Sequence, residues 1–350
     1  MVLRVSEIGM TAGLKFVRTD RELGCPGIDA GLRERGADLV LLPDGVSEDA
    51  LAEEVRDADL LLMCYTPVTA RVINAAEKLK GIVKYGVGID AIDIEAAKAR
   101  AIPVVNIPEY AEETVAEGAF ALMIALAKKL QPIGNAMQSQ GWVWPTDEWM
   151  ASDIANKTLG LIGVGRIGKS MARMAGAGFR ARVLGFSPHT SKADLKAVGV
   201  EKRENLRDML GESDFVSVHC VLNDETRHLI GRAELAAMKQ SAFLINTSRG
   251  AIVDEEALVE ALQSRRIAGA GLDVYASEPL TRSGHPLSAL YAMDNVILFP
   301  HLTFYTADAM QRLEQEVLER CFEILDGKPV LVKSADPRLT AQRHGVTFDA

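Results

Sequence analysis

Three side chains that could carry out chemistry on a carbonyl group lie in the second half of the chain, each just after an apolar run of strand length. They are Arg249, Glu278 and His301. Ligands of open α/β sheets bind at the carboxyl ends of the strands, so we expect the three to converge on one crevice. Taken singly, each residue type at a strand end is more often a surface or capping group, whereas the three together favour a site.

The three residue types suit the interconversion of a 2-oxo acid and a 2-hydroxy acid. Hydride transfer to a carbonyl leaves an alkoxide, and histidine titrates in the range needed to donate the proton. A planar guanidinium binds a carboxylate through two parallel hydrogen bonds. A carboxylate beside the histidine favours its protonated form and orients the ring. The sequence therefore suggests Arg249 as a substrate clamp, and His301 with Glu278 as a proton-transfer pair.

A glycine motif supplies the second candidate site. Gly163, Gly165 and Gly168 have G-x-G-x-x-G spacing after an apolar run, and a helical pattern follows at once. Gly163 allows a tight turn, Gly165 lets the backbone approach a pyrophosphate, and Gly168 lets helix and strand pack closely. The first helical amides, at Arg166 and Ile167, would donate to the anion. Taken alone, the motif also fits a glycine-rich turn without a ligand.

Composition narrows the class of protein. The chain has 350 residues, enough for two domains, with 48% hydrophobic and 25% charged residues. A formal charge of -9 argues against nucleic acid or an anionic membrane as the main partner. No signal peptide or membrane-spanning stretch is recognisable. The four cysteines are scattered without metal-binding spacing, so we expect no metal and a reducing, cytoplasmic location.

Strand and helix patterns alternate along the chain, which predicts an α/β fold with parallel, doubly wound sheets. Apolar runs of strand length in the first part lie at 2–5, 39–42, 60–64, 82–85 and 102–105. A second series of strands lies at 159–162, 183–186, 215–218, 243–246, 269–274 and 296–299. Helical patterns at 48–56, 70–78, 94–99, about 114–129 and 307–325 accompany them. The second series fits a complete dinucleotide-binding sheet.

A cluster of aromatic residues follows the helix predicted at 114–129. Trp142, Trp144 and Trp149 lie within eight residues of one another. Such density outside a regular element indicates a subunit interface, hence a homodimer. Local packing over a domain junction explains it equally well.

Five stretches of the chain together resemble the D-isomer-specific 2-hydroxyacid dehydrogenase family, over roughly residues 50–330. They are 163–168, 246–254, 271–274, 278–279 and 300–301. The resemblance implies a Rossmann NAD(P)-binding domain at 108–300, inserted into a flavodoxin-like, discontinuous substrate domain at 1–107 and 301–335. We expect the last residues, 336–350, to form an extended tail.

The resemblance also implies roles for individual residues. It makes Arg249 the substrate clamp, Glu278 the histidine partner and His301 the acid/base. In the cofactor cleft it implies that Asp273 holds the nicotinamide carboxamide and that Thr247 and Cys220 line the wall. The substrate carboxylate would bind backbone amides of loop 85–90, and the side chains or amides expected to contact substrate are Tyr65, Val87, Gly88 and Tyr110.

Two departures from the family pattern bear on ligands. NAD-preferring members have an acidic residue about twenty positions after the glycine motif, where this chain has Ser187, followed by His189 and Lys192. NADP(H) is therefore favoured, with NAD(H) still open. Phosphoglycerate-oxidising relatives have arginines after the third strand, where this chain has residues 63–66, and a long C-terminal extension that we do not find here. Both differences argue against a phosphorylated substrate.

The leading hypothesis is an NAD(P)-dependent oxidoreductase that interconverts a small, non-phosphorylated 2-oxo acid and a D-2-hydroxy acid, of the glyoxylate/hydroxypyruvate or D-lactate type. The alternative is a non-enzymatic, dinucleotide-sensing protein of the C-terminal-binding-protein type, which the same fold supports. A formate dehydrogenase is disfavoured, because those relatives have glutamine where Glu278 stands.

Overall fold

A computed structural model describes residues 13–348 of the chain, and these form two compact units. One unit runs to Ala111 and resumes at Thr306, and the other is Glu112–Tyr305. The sequence predicts divisions after residues 107 and 300, and the units divide after 111 and 305. Each unit contains a parallel sheet flanked by helices, so the predicted α/β, doubly wound fold is confirmed. No helix between residues 13 and 348 has the length and apolar character needed to cross a membrane.

The first unit is built on a five-stranded parallel sheet with the strand order β2-β1-β3-β4-β5. Its strands are β1 (Lys15–Arg18), β2 (Asp38–Leu41), β3 (Leu60–Met63), β4 (Gly81–Lys84) and β5 (Val104–Asn106). The helices between them are α1 (Pro26–Glu34), α2 (Glu48–Glu54), α3 (Ala70–Ala75) and α4 (Ile94–Ala99). All residues of β3 and β4 are buried, as expected for parallel strands covered by helices on both faces.

The first described strand was not expected from the sequence. Its apolar run is only two residues long, because Arg18 follows it directly. Arg18 is nevertheless buried, with 1% of its surface exposed. The guanidinium is paired with Asp29 through hydrogen bonds of 2.8 and 3.0 Å. A charged residue inside a short run hides the strand pattern. The strand predicted at 2–5 lies outside the described residues.

The second unit contains a seven-stranded parallel sheet with the order β12-β11-β10-β9-β6-β7-β8. Its strands are β6 (Thr158–Ile162), β7 (Arg182–Phe186), β8 (Glu201–Lys202), β9 (Phe215–Val218), β10 (Phe243–Asn246), β11 (Gly269–Leu272) and β12 (Val296–Leu298). The helices are α5 (Glu112–Ala127), α6 (Leu130–Gln140), α7 (Arg166–Arg173), α8 (Lys192–Ala197), α9 (Leu206–Glu212), α10 (Arg232–Ala237) and α11 (Glu255–Gln263). The sequence predicts six of the strands, whereas β8 is two polar residues that show no alternation.

A residue with a left-handed backbone conformation separates α5 from α6. The sequence predicts α5 but not α6. Lys129 has φ 50°, which ends one helix and lets the next begin at Leu130. After α6, Trp142 and Trp144 are 70% and 73% exposed and contact each other edge to face. The second unit therefore does not bury them by local packing.

The chain returns to the first unit through α12 (Ala307–Leu325), β13 (Val330–Val332), α13 (Pro337–Thr340) and β14 (Val346–Phe348). The expected extended tail at 336–350 is wrong for the described part, since it contains a helical turn and a strand that pairs with β13. The buried Gln342 amide also accepts from the Val104 N–H (2.7 Å) and donates to its carbonyl (2.9 Å). These long-range bonds, which local sequence does not reveal, order the tail.

Candidate active site

The three motif glycines have the three geometries that a dinucleotide-binding turn requires. Gly163 lies between β6 and α7 with φ 88°, and a Cβ there would lie 2.7 Å from the Cys220 nitrogen. A Cβ on Gly168 would lie 2.5 Å from the Gly163 carbonyl oxygen, so helix and turn pack in close contact. Around Gly165 a Cβ would meet nothing within 4 Å. The first and third glycines are thus required by packing, and the second borders open space.

The polar groups near this turn fit a nicotinamide dinucleotide. The helix α7 starts after Gly165 without a side-chain cap, so a phosphate can take that place. The Arg166 guanidinium points elsewhere, to Glu112 at 3.2 Å. Within residues 13–348, the buried Thr247 Oγ1 has no hydrogen-bond partner, which suits a ligand group at the end of β10. Burial raises the pKa of the nearby Cys220 thiol to about 11, so this thiol is uncharged at neutral pH.

The turn between β7 and α8 contains hydroxyl groups and no carboxylate at the end of the strand. Ser187 Oγ lies 2.8 Å from Thr190 Oγ1, a residue that the sequence reasoning missed. His189 is exposed, and its Nε2 lies 3.8 Å from a Glu225 oxygen. Lys192 is exposed on the first position of α8. The turn thus offers two hydroxyls and a lysine, while Glu225 faces the histidine.

Arg249 is placed by a turn that Asn246 organises at the end of β10. The Asn246 side chain donates to the Arg249 carbonyl (2.9 Å) and accepts from the Ser248 N–H (3.1 Å). The next residue must be glycine, because a Cβ on Gly250 would overlap the Tyr275–Ala276 backbone. The guanidinium donates to the Ser248 carbonyl at 2.7 Å. The hydrogen bonds of Asn246 and the close packing at Gly250 therefore fix the backbone position of Arg249 at the end of β10.

Glu278 and His301, which the sequence suggests as a proton-transfer pair, lie in direct contact. His301 Nδ1 lies 2.9 Å from Glu278 Oε2, and the Tyr275 N–H donates to the other glutamate oxygen at 3.0 Å. Burial acts to raise the pKa of the Glu278 carboxyl, but His301, the Tyr275 amide and Arg249 outweigh it. The pKa of Glu278 therefore lies below its usual value, and the carboxylate is ionised at neutral pH. Arg249 is close enough to contribute to this stabilisation.

The backbone at His301 is left-handed, with φ 58°, and a second carboxylate supports it. The fully buried Asp273 accepts from the Leu302 N–H (2.8 Å), the Thr303 N–H (3.1 Å) and the Thr303 hydroxyl (2.5 Å). Burial raises the pKa of Asp273 above its usual value, although these donors act in the opposite direction. Both oxygens of Asp273 thus already hold the segment after His301. The predicted contact of Asp273 with a carboxamide stays a prediction.

The residues expected to contact substrate lie in the first unit. Tyr65 and Val87, which follow β3 and β4, are 39% and 41% exposed, and Gly88 is half-buried. Tyr110 is 6% exposed, and its carbonyl accepts from Arg312 at 2.9 Å. Tyr65, Val87 and Gly88 follow adjacent strands at the same edge of their sheet, while Tyr110 lies beyond β5.

Sequence reasoning missed Asp20, which holds the segment after β3. Its buried carboxylate accepts from the amides of Cys64 (2.8 Å), Tyr65 (2.9 Å) and Thr66 (3.1 Å). Burial opposes ionisation, but these donors and two hydroxyls outweigh it and lower the pKa of Asp20. The available signal was an aspartate two residues after a strand in an α/β pattern, but β1 itself was not recognised.

Comparison with known families identifies relatives over most of the chain. Residues 120–303 match the family model of the D-isomer specific 2-hydroxyacid dehydrogenase NAD binding domain. Over 285 residues the chain is 38% identical to a D-3-phosphoglycerate dehydrogenase of Methanocaldococcus jannaschii, covering 81% of this chain and 53% of that protein. It is equally identical over 285 residues to a glyoxylate reductase of Korarchaeum cryptofilum, covering 81% of this chain and 84% of that protein. The chain therefore spans about half of the first relative and most of the second.

A solved structure shares the fold of both units. It is a D-lactate dehydrogenase from Aquifex aeolicus complexed with NAD and lactic acid, with a TM-score of 0.79 and 29% identity. The match covers 89% of this chain and 96% of that one. The resemblance noted in the sequence is thus found independently in family model, relatives and structure.

Proposed function

Because this chain belongs to the D-isomer-specific 2-hydroxyacid dehydrogenase family, we propose that it interconverts a 2-oxo acid and a D-2-hydroxy acid with a nicotinamide dinucleotide. The observation that carries the proposal is the 2.9 Å contact between His301 and Glu278, close to Arg249. These are the proton donor, its partner and the carboxylate clamp that such a reaction requires.

The dinucleotide, when bound, gives or takes the hydride; the protein holds it and handles the proton. The glycine turn and the start of α7 would hold the pyrophosphate, and Thr247 Oγ1 would hydrogen-bond the part of the ligand over β10. The neutral thiol of Cys220 would form part of the wall without placing a negative charge there.

His301 would move the proton through its Nε2. Glu278 binds Nδ1 and remains ionised, so it keeps the proton on that nitrogen and directs Nε2 toward the reacting oxygen. In reduction, protonated His301 would donate from Nε2 to the oxygen of the former carbonyl. In oxidation, neutral His301 would take the hydroxyl proton at the same atom.

Arg249 would bind the 2-oxo acid through its carboxylate and the adjacent carbonyl oxygen. Its planar fork can hold two oxygens at once, and its positive charge stabilises negative charge that develops on the oxygen. The turn at Asn246 and the close approach at Gly250 support this role, since they limit the directions the guanidinium can take.

The proposed substrates are small and not phosphorylated, of the glyoxylate, hydroxypyruvate or lactate type. The segment after β3 contains Cys64, Tyr65 and Thr66, and none of these can pair with a phosphate as an arginine does. The similarity to a glyoxylate reductase and to a D-lactate dehydrogenase supports the same class.

For the cofactor we propose NADP(H). Ser187 and Thr190 can donate to a 2′-phosphate, and Lys192 adds positive charge, whereas a carboxylate that would repel the phosphate is missing at residue 187. Glu225 beside His189 weakens the contribution of that histidine. NAD(H) is the alternative.

We propose a cytoplasmic homodimer. All four cysteines are free, and Trp142, Trp144 and Met150 are about 70% exposed in the second unit, as expected for an interface with a second copy. Sedimentation equilibrium of the purified protein, with a Trp142→Ala, Trp144→Ala double variant as comparison, tests the assembly.

The oxidation of NADPH and NADH by a panel of 2-oxo acids tests the proposed reaction. We expect turnover with glyoxylate, hydroxypyruvate or pyruvate, a D-configured product where the product is chiral, and a higher kcat/KM with NADPH. Tight binding of dinucleotide without turnover on any substrate would instead support a dinucleotide-sensing protein. Turnover restricted to phosphorylated acids would overturn the substrate class.

A further inference from the structure

A lysine side chain is buried under the glycine loop of the first unit. Lys84 is the last residue of β4 and is 6% exposed. Its ammonium donates to the Cys64 carbonyl, lies 3.4 Å from Cys64 Sγ and is 5.5 Å from the Tyr65 ring centre. A Cβ on Gly86 would lie 3.1 Å from it. The positive charge is therefore directly beside the loop that follows β4.

None of the contacts of this ammonium that lie within residues 13–348 is a carboxylate. The carboxylate of Asp20, an acidic residue at this edge of the sheet, accepts from the amides of Cys64, Tyr65 and Thr66. Burial raises the pKa of the Cys64 thiol, so it is neutral and cannot serve as the counter-ion. A buried ammonium without a counter-ion is costly, and a bound anion would offset that cost.

A second polar side chain supports the same loop. Asn106 of β5 lies in register with Lys84, and its amide nitrogen donates to the Val87 carbonyl at 2.5 Å. Because Asn106 binds the Val87 carbonyl from the side of the sheet, the peptide group that follows Val87 has little freedom to rotate. Among the described residues, the Val87 and Gly88 amides donate to no backbone or side-chain acceptor. The loop thus offers two amide donors beside a buried positive charge.

We propose that Lys84 determines the preference of this loop for an anion: its charge makes the Val87 and Gly88 amides select a 2-oxo carboxylate over an uncharged 2-oxo compound. The inference rests on the proposed function, because it assigns the substrate carboxylate to this loop. Lys84 acts through the electrostatic potential that its charge creates at the loop, and through its hydrogen bond, which holds the Cys64 carbonyl in place. It takes no part in proton transfer.

The comparison of a 2-oxo acid with its methyl ester tests this role, since the two share the reacting carbonyl and differ in charge. Pyruvate and methyl pyruvate, or the best acid from the panel and its ester, are assayed with the wild type, Lys84→Met and Lys84→Gln. We expect the KM of the acid to rise by about 10- to 100-fold in both variants, because they remove the nearby positive charge that stabilises the bound carboxylate. The KM of the ester and the kcat of the acid should change by less than about threefold.

Three controls separate the explanations. Lys98→Met removes an equal charge from an exposed pair with Glu95 and should leave both KM values unchanged. Lys84→Arg keeps the charge and should retain most of the preference. Lys84→Gln keeps a donor for the Cys64 carbonyl, so it carries the test if Lys84→Met fails to fold. An acid-to-ester KM ratio equal to that of the wild type in either neutral variant would overturn the proposal, whereas a wild type without any 2-oxo acid turnover would fail the proposed function.

Discussion

At His301 the backbone and the ring are held by different carboxylates. Asp273 accepts from the residues that follow and supports the left-handed φ, while Glu278 binds Nδ1. A left-handed backbone is unfavourable for a non-glycine residue, and it persists here because the next two amides are fixed. The ring position is therefore set from two directions before any ligand binds.

The clamp role of Arg249 gives a prediction at the same scale. In Arg249→Lys the charge remains, but the planar fork that holds two oxygens is lost. We expect kcat/KM for 2-oxo acids to fall by at least about 100-fold, roughly the loss of one or two charge-assisted hydrogen bonds, with little change in dinucleotide affinity. Steady-state kinetics and cofactor fluorescence titration measure the two effects.

The matched control is Arg265→Lys, an exposed arginine of the same unit that is paired with Asp294. It should behave as the wild type. If Arg249→Lys keeps near-normal kinetics, the substrate carboxylate does not depend on that guanidinium.

Arg249, Glu278 and His301 were predicted as a candidate site because the three residue types together suit one reaction, although each type alone at a strand end is more often a surface or capping group. All three follow apolar runs that are easy to recognise, and glycine spacing marks the turn at Gly163. Lys84 and Asn106 were missed for the opposite reason. Each is a single polar residue at the end of a buried strand, and its importance depends on which strands are neighbours.

At the scale of elements, the β7–α8 turn selects the cofactor in our proposal. In Ser187→Asp a carboxylate at the end of β7 would repel a 2′-phosphate and accept from ribose hydroxyls. We expect the kcat/KM ratio of NADPH to NADH to fall by about 10- to 100-fold, mainly through the KM for NADPH. Initial-rate measurements with both cofactors give the ratio.

Ser241→Asp serves as the control, because it adds the same charge at an exposed position that precedes β10, at the opposite end of the parallel strands from the β7–α8 turn. A Ser187→Asp ratio unchanged from the wild type would show that the turn does not discriminate between the cofactors.

Elements with a continuous apolar pattern were predicted well, and those held by long-range contacts were not. The strands β3, β4, β9 and β10 are apolar throughout or nearly so, and their predicted bounds agree with the structure within one residue. In contrast, β8 is two polar residues, and the tail depends on the bonds of Gln342 to Val104. These elements are ordered by residues that are distant in the sequence, and the local pattern of apolar residues gives no information about such partners.

For the whole molecule, the half-buried His219 is expected to make folding sensitive to acid. Burial lowers the pKa of His219 to about 4, from the ordinary value of 6.5. Between these values the unfolded chain binds a proton that the folded chain does not, so stability is lost as pH falls from 6.5 to 4. We expect about 2 kcal/mol of this loss between pH 7 and pH 5.

Urea unfolding at both pH values measures this loss. His219→Gln should reduce the difference in free energy of unfolding between pH 7 and pH 5 by that amount, whatever its own cost, whereas the exposed His344→Gln should not. An undiminished difference in His219→Gln would mean that other groups cause the acid sensitivity.

The most direct test of the central claim compares two histidine variants of the second unit. His301 and His228 both have left-handed backbones, with φ 58° and 53°, and asparagine tolerates that conformation. For His301→Asn we predict that kcat for 2-oxo acid reduction falls by about 10²- to 10⁴-fold while dinucleotide binding persists, and for His228→Asn that both stay at wild-type values. Equal turnover in His301→Asn and the wild type would contradict the assignment of His301 as the proton donor, and with it the mechanism.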